Sequence, residues 1–200
     1  MNQGVPRPLK TNKHKEIDVD NDRKEESRNG KTAGLLVRGL LVLLVTIAGT
    51  GIASAQDYTV LKFRGGIGVI PVTGVAANGT VNLNVVRGVN PAGPWRIADL
   101  QADVRSDSSV RIKGRGLLLA AGNGIGTNAG ASVFATLFCG PANSATAHNS
   151  PRVALDPDGD FRIDDLLSPA LPATCDTPVL LIRNGAGSGV WFAAGIPESK

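Results

Sequence analysis

Three acids at alternate positions, Asp156-Pro-Asp158-Gly-Asp160, carry the carboxylate spacing of a calcium loop. They fill positions one, three and five of an EF-hand or dockerin loop, and Asp164 falls at nine. Position six, where glycine makes the bend, is Phe161, and position twelve, normally a bidentate acid, is Leu167. Pro157 and Gly159 are also what a tight turn between two strands requires. The expectation is therefore a hairpin turn. A weak, non-EF calcium site on Asp156, Asp158 and Asp160 is the sharpest ligand hypothesis, and no other cofactor is expected.

A second chemistry needs a base. After the apolar segment described below the chain has one histidine, His148, with Ser144 and Ser150 close in sequence. A hydrolase using His148 is the alternative to a non-catalytic protein, but no nucleophile elbow surrounds these residues. A solvated histidine in the loop Gly140 to Ser150 is expected instead. One histidine is too few for a histidine-cluster metal site. Arg111, Lys113 and Arg115 form a basic row without interleaved aromatics, unlike a nucleic-acid stripe. Gly122 to Gly130 is glycine-rich, yet its spacing is neither the dinucleotide nor the Walker pattern, so a long flexible connection is expected. Trp95, Trp191 and Phe192 read as core or rim aromatics, and an exposed Trp beside Tyr58 would stack on a sugar.

Cys139 and Cys175 are the only cysteines, and their expected state is one disulfide. It would tie the Pro-rich loop Ser168–Ala173 to the end of a central strand, Ala131–Cys139, which is apolar on both faces.

The elements that must hold these residues are strands. Short alternating apolar runs recur between Gly- and Pro-rich stretches, with no helical stripe. Expected strands are 58–64, 68–72, 80–87, 95–105, 109–120, 131–139, 152–155, 161–166, 178–183 and 190–194. Pairing Arg105 with Ser109 sets Val104 beside Val110 and Ala102 beside Ile112. The other face then opposes Asp103 to Arg111, Gln101 to Lys113 and Asp99 to Arg115, which pairs two of the three charges of the basic row. A one-residue slip loses every pair. Trp95 and Ile97 are out of phase with Leu100, which predicts a bulge near Ala98. A second hairpin, pairing Asp156 with Asp160, sets Leu155 beside Phe161, Val153 beside Ile163 and Arg152 opposite Asp164.

The first 38 residues mix both charge signs with few apolar residues and read as a disordered head; a start at Val37 would leave a conventional signal sequence. Seventeen uncharged residues, Gly39 to Ala55, follow and end in Ala-Ser-Ala, a signal-peptidase pattern with cleavage between Ala55 and Gln56. Retention as a membrane anchor is the alternative. Residues 56–200 keep 12 Lys+Arg against 11 Asp+Glu, so no nucleic-acid or anionic-membrane footprint is expected of them.

The series Ala135-Thr-Leu-Phe-Cys139, Val153-Ala-Leu-Asp-Pro-Asp-Gly-Asp-Phe-Arg-Ile163, Cys175-Asp-Thr-Pro-Val-Leu-Leu-Ile182 and Trp191-Phe-Ala-Ala resembles small exported bacterial β-sandwich proteins of no known activity. Ile70-Pro-Val-Thr73 and Gly79-Thr80 resemble chordin-type secreted domains, whose histidines are absent here. The expectation is a secreted, periplasmic or cell-envelope all-β domain over residues 56–200. It is an antiparallel, immunoglobulin-like β-sandwich with one disulfide, binding an unknown protein or carbohydrate ligand without catalysis and with no membrane contact after cleavage.

Overall fold

A computed structural model describes residues 58–187 and 189–199. The charged head, the apolar segment and the Ala55–Gln56 junction lie outside the described residues. Within them every regular element is a strand. β1 is Thr59–Gly68, β2 Val72–Val75, β3 Val81–Leu83, β4 Trp95–Arg96, β5 Asp99–Arg105, β6 Ser109–Arg115 and β7 Leu118–Leu119. β8 is Ser132–Cys139, β9 Thr146–Asn149, β10 Val153–Ala154, β11 Phe161–Leu166, β12 Val179–Asn184 and β13 Trp191–Pro197.

Nine strands form one antiparallel sheet in the order β10-β8-β12-β13-β1-β5-β6-β11, with β9 sharing the edge of β8 beside β10. The sheet curls until its ends touch. Asp156 N donates to Asp160 O between β10 and β11, and Asn149 and Ser168 exchange two backbone bonds of 2.8 Å. Inside the curl sit Phe63, Leu100, Ile112, Leu137, Ile163, Leu180 and Ile182, all fully buried or nearly so, while Leu181 is buried on the opposite face of β12. Burial of these side chains is the main stabilising term of the fold. β8 and β12 are buried on both faces, as an uninterrupted apolar run predicts.

The first hairpin has the predicted register at every pair from Asp99↔Arg115 to Val104↔Val110. Alternation explains this: Leu100, Ala102, Val104, Val110 and Ile112 all face the core. The predicted bulge near Ala98 is instead a matched break in both strands. β5 gives way to β4 across Ile97 and Ala98, and β6 to β7 across Gly116 and Leu117; pairing then resumes with Arg96↔Leu118 and Trp95↔Leu119. No residue is gained or lost, so the phase flips on both sides together. Gly116 (φ 62°) makes the bend.

The second hairpin diverges from expectation. Its turn closes, with Gly159 (φ 82°) donating to Asp156 O at 2.8 Å, but the strands then part. β10 pairs with β8 and β11 with β6, placing Ile163 against Ile112 and Asp164 against Arg111. Ile163 still meets an apolar partner and Asp164 still meets an arginine, but these come from β6 rather than from Val153 and Arg152. The run 80–87 is strand only over β3, and residues near 68 belong to the end of β1.

Cys139 and Cys175 are bonded, with Cα atoms 4.7 Å apart. Gly140 N donates to Asp176 O at 2.8 Å beside them, so the loop after β11 is fastened to the end of β8 as predicted.

Candidate functional site

His148 departs furthest from expectation. It is not a solvated loop residue; it lies on β9 opposite Leu137 of the central strand and is 2% exposed. Its Nδ1 is 2.7 Å from Pro169 O. A carbonyl only accepts, so Nδ1 is the donor of this bond, and Nε2 is buried without a partner among the described residues. A hydrolase would need a hydroxyl within hydrogen-bond reach of that base. Ser150 Oγ is used elsewhere: it accepts from Ala135 N at 2.9 Å and donates to Pro151 O at 2.8 Å. Ser144 lies in the exposed turn before β9. The structure brings no hydroxyl to the imidazole among the described residues.

The acidic turn is brought to the outer face of β5, β6 and β11. There Asp156 and Asp160 border a shallow groove of about 490 Å³ with Asp99, Lys113, Arg115 and Arg162. Asp160 Oδ1 accepts from Gly116 N at 2.9 Å, and Asp158 Oδ1 receives Asp160 N at 3.4 Å. Two of the three carboxylates thus satisfy backbone donors of the turn and of the adjoining bend. No group of three metal-ligating side chains assembles among the described residues.

Two of the three charges of the basic row are paired, although the partners are partly different from those predicted. Arg115 bonds Asp99 at 3.1 Å as predicted. Arg111 instead bonds Asp164 at 3.2 Å, and Asp103 is taken by Arg64 at 2.6 Å. Arg162 also bonds Asp164, at 2.8 Å. Its hydrogen bond first, with that of Arg111, holds the Asp164 carboxyl below the usual carboxylate range.

Both tryptophans are buried, so neither stands beside Tyr58 to stack on a sugar. Trp95 stacks on Phe192 at 4.1 Å between centroids, and Trp191 Nε1 donates to Asn84 O at 3.0 Å. The glycine-rich stretch is held rather than loose. Gly126 N donates to Leu119 O, Leu119 N to Thr127 O, and Asn128 Nδ2 to the carbonyls of Leu155 and Asp156.

One surface was not foreseen as a site. β2 and β3 pair only with each other, forming an arm outside the curled sheet. The ladder pairs Val72 with Leu83 and Val75 with Val81, and an irregularity between Val72 and Gly74 carries one extra residue on β2. Directly paired residues share a face, so that bulge puts Val72 and Val75 on the same side as Leu83 and Val81. The arm thus has an aliphatic face and a face bearing Thr73 and Asn82. The aliphatic face is uncovered: Val72 is 37% exposed, Val75 64%, Val81 52% and Leu83 52%, with Ile70 and Val85 at the base at 66% and 50%. Its tip is well formed, with Ala76 N donating to Thr80 O and Gly79 N to Ala76 O. Its root is anchored where Asn84 O accepts from the Trp191 indole. The signal in the sequence is a run of 22 residues, 65–86, without a single charge.

The chain matches no protein-family model, no curated protein and no solved structure. Its chemistry has to be read from its own surface.

Proposed function

We propose that this domain is a non-catalytic binding or structural protein of the cell exterior or envelope, its curled sheet arranged as two facing halves in the manner of an immunoglobulin-like sandwich. A disulfide supports an oxidising compartment. The observation that carries the binding role is the uncovered aliphatic face of the β2–β3 arm. Monomeric proteins rarely leave a contiguous apolar patch of this kind in water without using it. A two-stranded hairpin is marginal alone, and here it is held by its root instead of by packing of that face. A protein ligand fits better than a carbohydrate, because residues 65–86 hold no aromatic ring to stack on a sugar. A non-catalytic role is supported by the separate occupation of His148 Nδ1 and Ser150 Oγ.

A recognition face is dispensable for the monomer, whereas a core face is not. In dilute solution the double substitution Val75→Ser, Val81→Ser is expected to change the unfolding free energy by under about 1 kcal/mol. It should also abolish the fluorescence enhancement of a hydrophobic dye that the unaltered protein gives. A loss of 2 kcal/mol or more, as for a buried aliphatic residue, would mean that the arm belongs to the core and would remove the binding reading.

A further inference from the structure

We propose that the occupant of the β2–β3 arm is a second copy of this chain, the two aliphatic faces packing on each other about a two-fold axis. The inference rests on the arm being a binding surface and goes on to name what covers it. The first argument is charge. Arg64 and Arg87 bracket a stretch with no Asp, Glu, Lys or Arg, so an acidic or basic partner finds nothing to pair with. The same neutrality makes the face compatible with itself, because a two-fold contact lays the same patch on both sides and here leaves no charge to be buried without a partner.

Composition is the second argument. Faces built to take a different protein are enriched in Tyr, Trp, Met and Arg, whereas contacts between identical subunits are the more purely apolar class. The arm offers Val, Leu and Ile only. Membrane-seeking elements need interfacial anchors, Trp or Tyr and Lys or Arg, and residues 65–86 have none of these. Geometry is the third. Val72, Val75, Val81 and Leu83 share one face of a two-stranded ribbon, and two such faces can stack at the roughly 10 Å spacing of packed sheets.

Area sets the strength. Six aliphatic residues at these exposures present on the order of 500 Å² per copy, so a pair buries about 1,000 Å². That lies just under the range of stable complexes, so association is weak, reversible and concentration-dependent. Where the protein is concentrated or tethered, it forms dimers; in dilute solution it does not.

Residues 58–199 contain their own core, so residues 56–200 serve as the sample. Sedimentation velocity from about 1 to about 500 μM is expected to show a monomer–dimer equilibrium with a Kd between about 10 μM and 1 mM. Val75→Lys with Val81→Lys should leave a monomer throughout, with the near-ultraviolet signal of the Trp95–Phe192 pair unchanged. Val75→Glu with Val81→Glu should do the same. An equimolar mixture of the two should restore a dimer, which mere damage to the arm could not produce. Ile125→Lys, at an exposed aliphatic outside the arm, should dimerise normally. The proposal is overturned by a wild type that stays monomeric at every concentration, by a dimer indifferent to the lysines, or by a mixture that fails to pair. Flotation of the monomer on phosphatidylethanolamine–phosphatidylglycerol vesicles, lost on lysine substitution, would also overturn it and assign the arm to lipid. In each of these cases the dye and stability test above still decides separately whether the arm is a binding surface.

Discussion

Replacing Cys139 and Cys175 together by alanine separates two accounts of what fastens the loop after β11 to β8. The bond joins residues 36 apart in sequence. On the loop-closure description, cutting a ring of that size returns about 4 kcal/mol of conformational freedom to the unfolded chain. A domain of this length has a urea slope near 2 kcal/mol/M, so the midpoint should fall by about 2 M. The slope itself should rise, because an unfolded chain without the cross-link exposes more surface. Equilibrium urea unfolding followed by tryptophan fluorescence reads both quantities, since Trp95 and Trp191 are buried. A midpoint shift below about 0.5 M would refute the reasoning. So would the full shift with an unchanged slope, which would place the loss in native packing around Cys139 instead of in chain freedom.

Gly114 faces Phe161 across the β6–β11 pair, and a Cβ there would collide with the ring, so Gly114→Ala should destabilise by about 1–3 kcal/mol in the same assay. Leu181, fully buried between β8 and β13, should lose about 2–5 kcal/mol on truncation to alanine. Asp160→Ala strips the acceptor from Gly116 N and should lower thermal stability by an amount corresponding to about 1 kcal/mol. Asp164 and Asp107 both have carboxyl pKa values held down in the folded state, the first chiefly by Arg162 and the second chiefly by Ser109. Their stabilisation is complete above the unfolded-state value of about 3.9 and disappears as pH falls through the depressed folded values. Urea midpoints between pH 5 and pH 2 should therefore decline less steeply in Asp164→Asn than in the unaltered protein.

The β5–β6 hairpin was legible because two independent requirements, apolar against apolar and acid against base, select a single register. The pairing of β11 was not, since the same requirements have two solutions. Ile163 and Asp164 are satisfied equally by Val153 with Arg152 or by Ile112 with Arg111, and nothing local distinguishes a neighbour in sequence from one about fifty residues away. The break at Ala98 showed only as a phase change, which reads as one extra residue until the matching change after Gly116 is seen on the partner strand. His148 gave no signal of burial: its neighbours Thr146 and Ala147 are small, and its place is set by β8, whose apolar pattern says nothing about which strand lies beside it. The arm was half legible. Val72, Val75, Val81 and Leu83 have the composition of core strands, and only the three-dimensional fold reveals that the core is elsewhere.

The twin interruption between β4–β7 and β5–β6 has a mechanical corollary. Both rails of the ribbon turn the corner after the same count of rungs, so Trp95 swings inward together with its partner Leu119. Adding or removing a single residue on either rail near Ile97 or Leu117 would derail everything beyond the corner, including the ring stacked on Phe192. Length can change there only two residues at a time, one from each side.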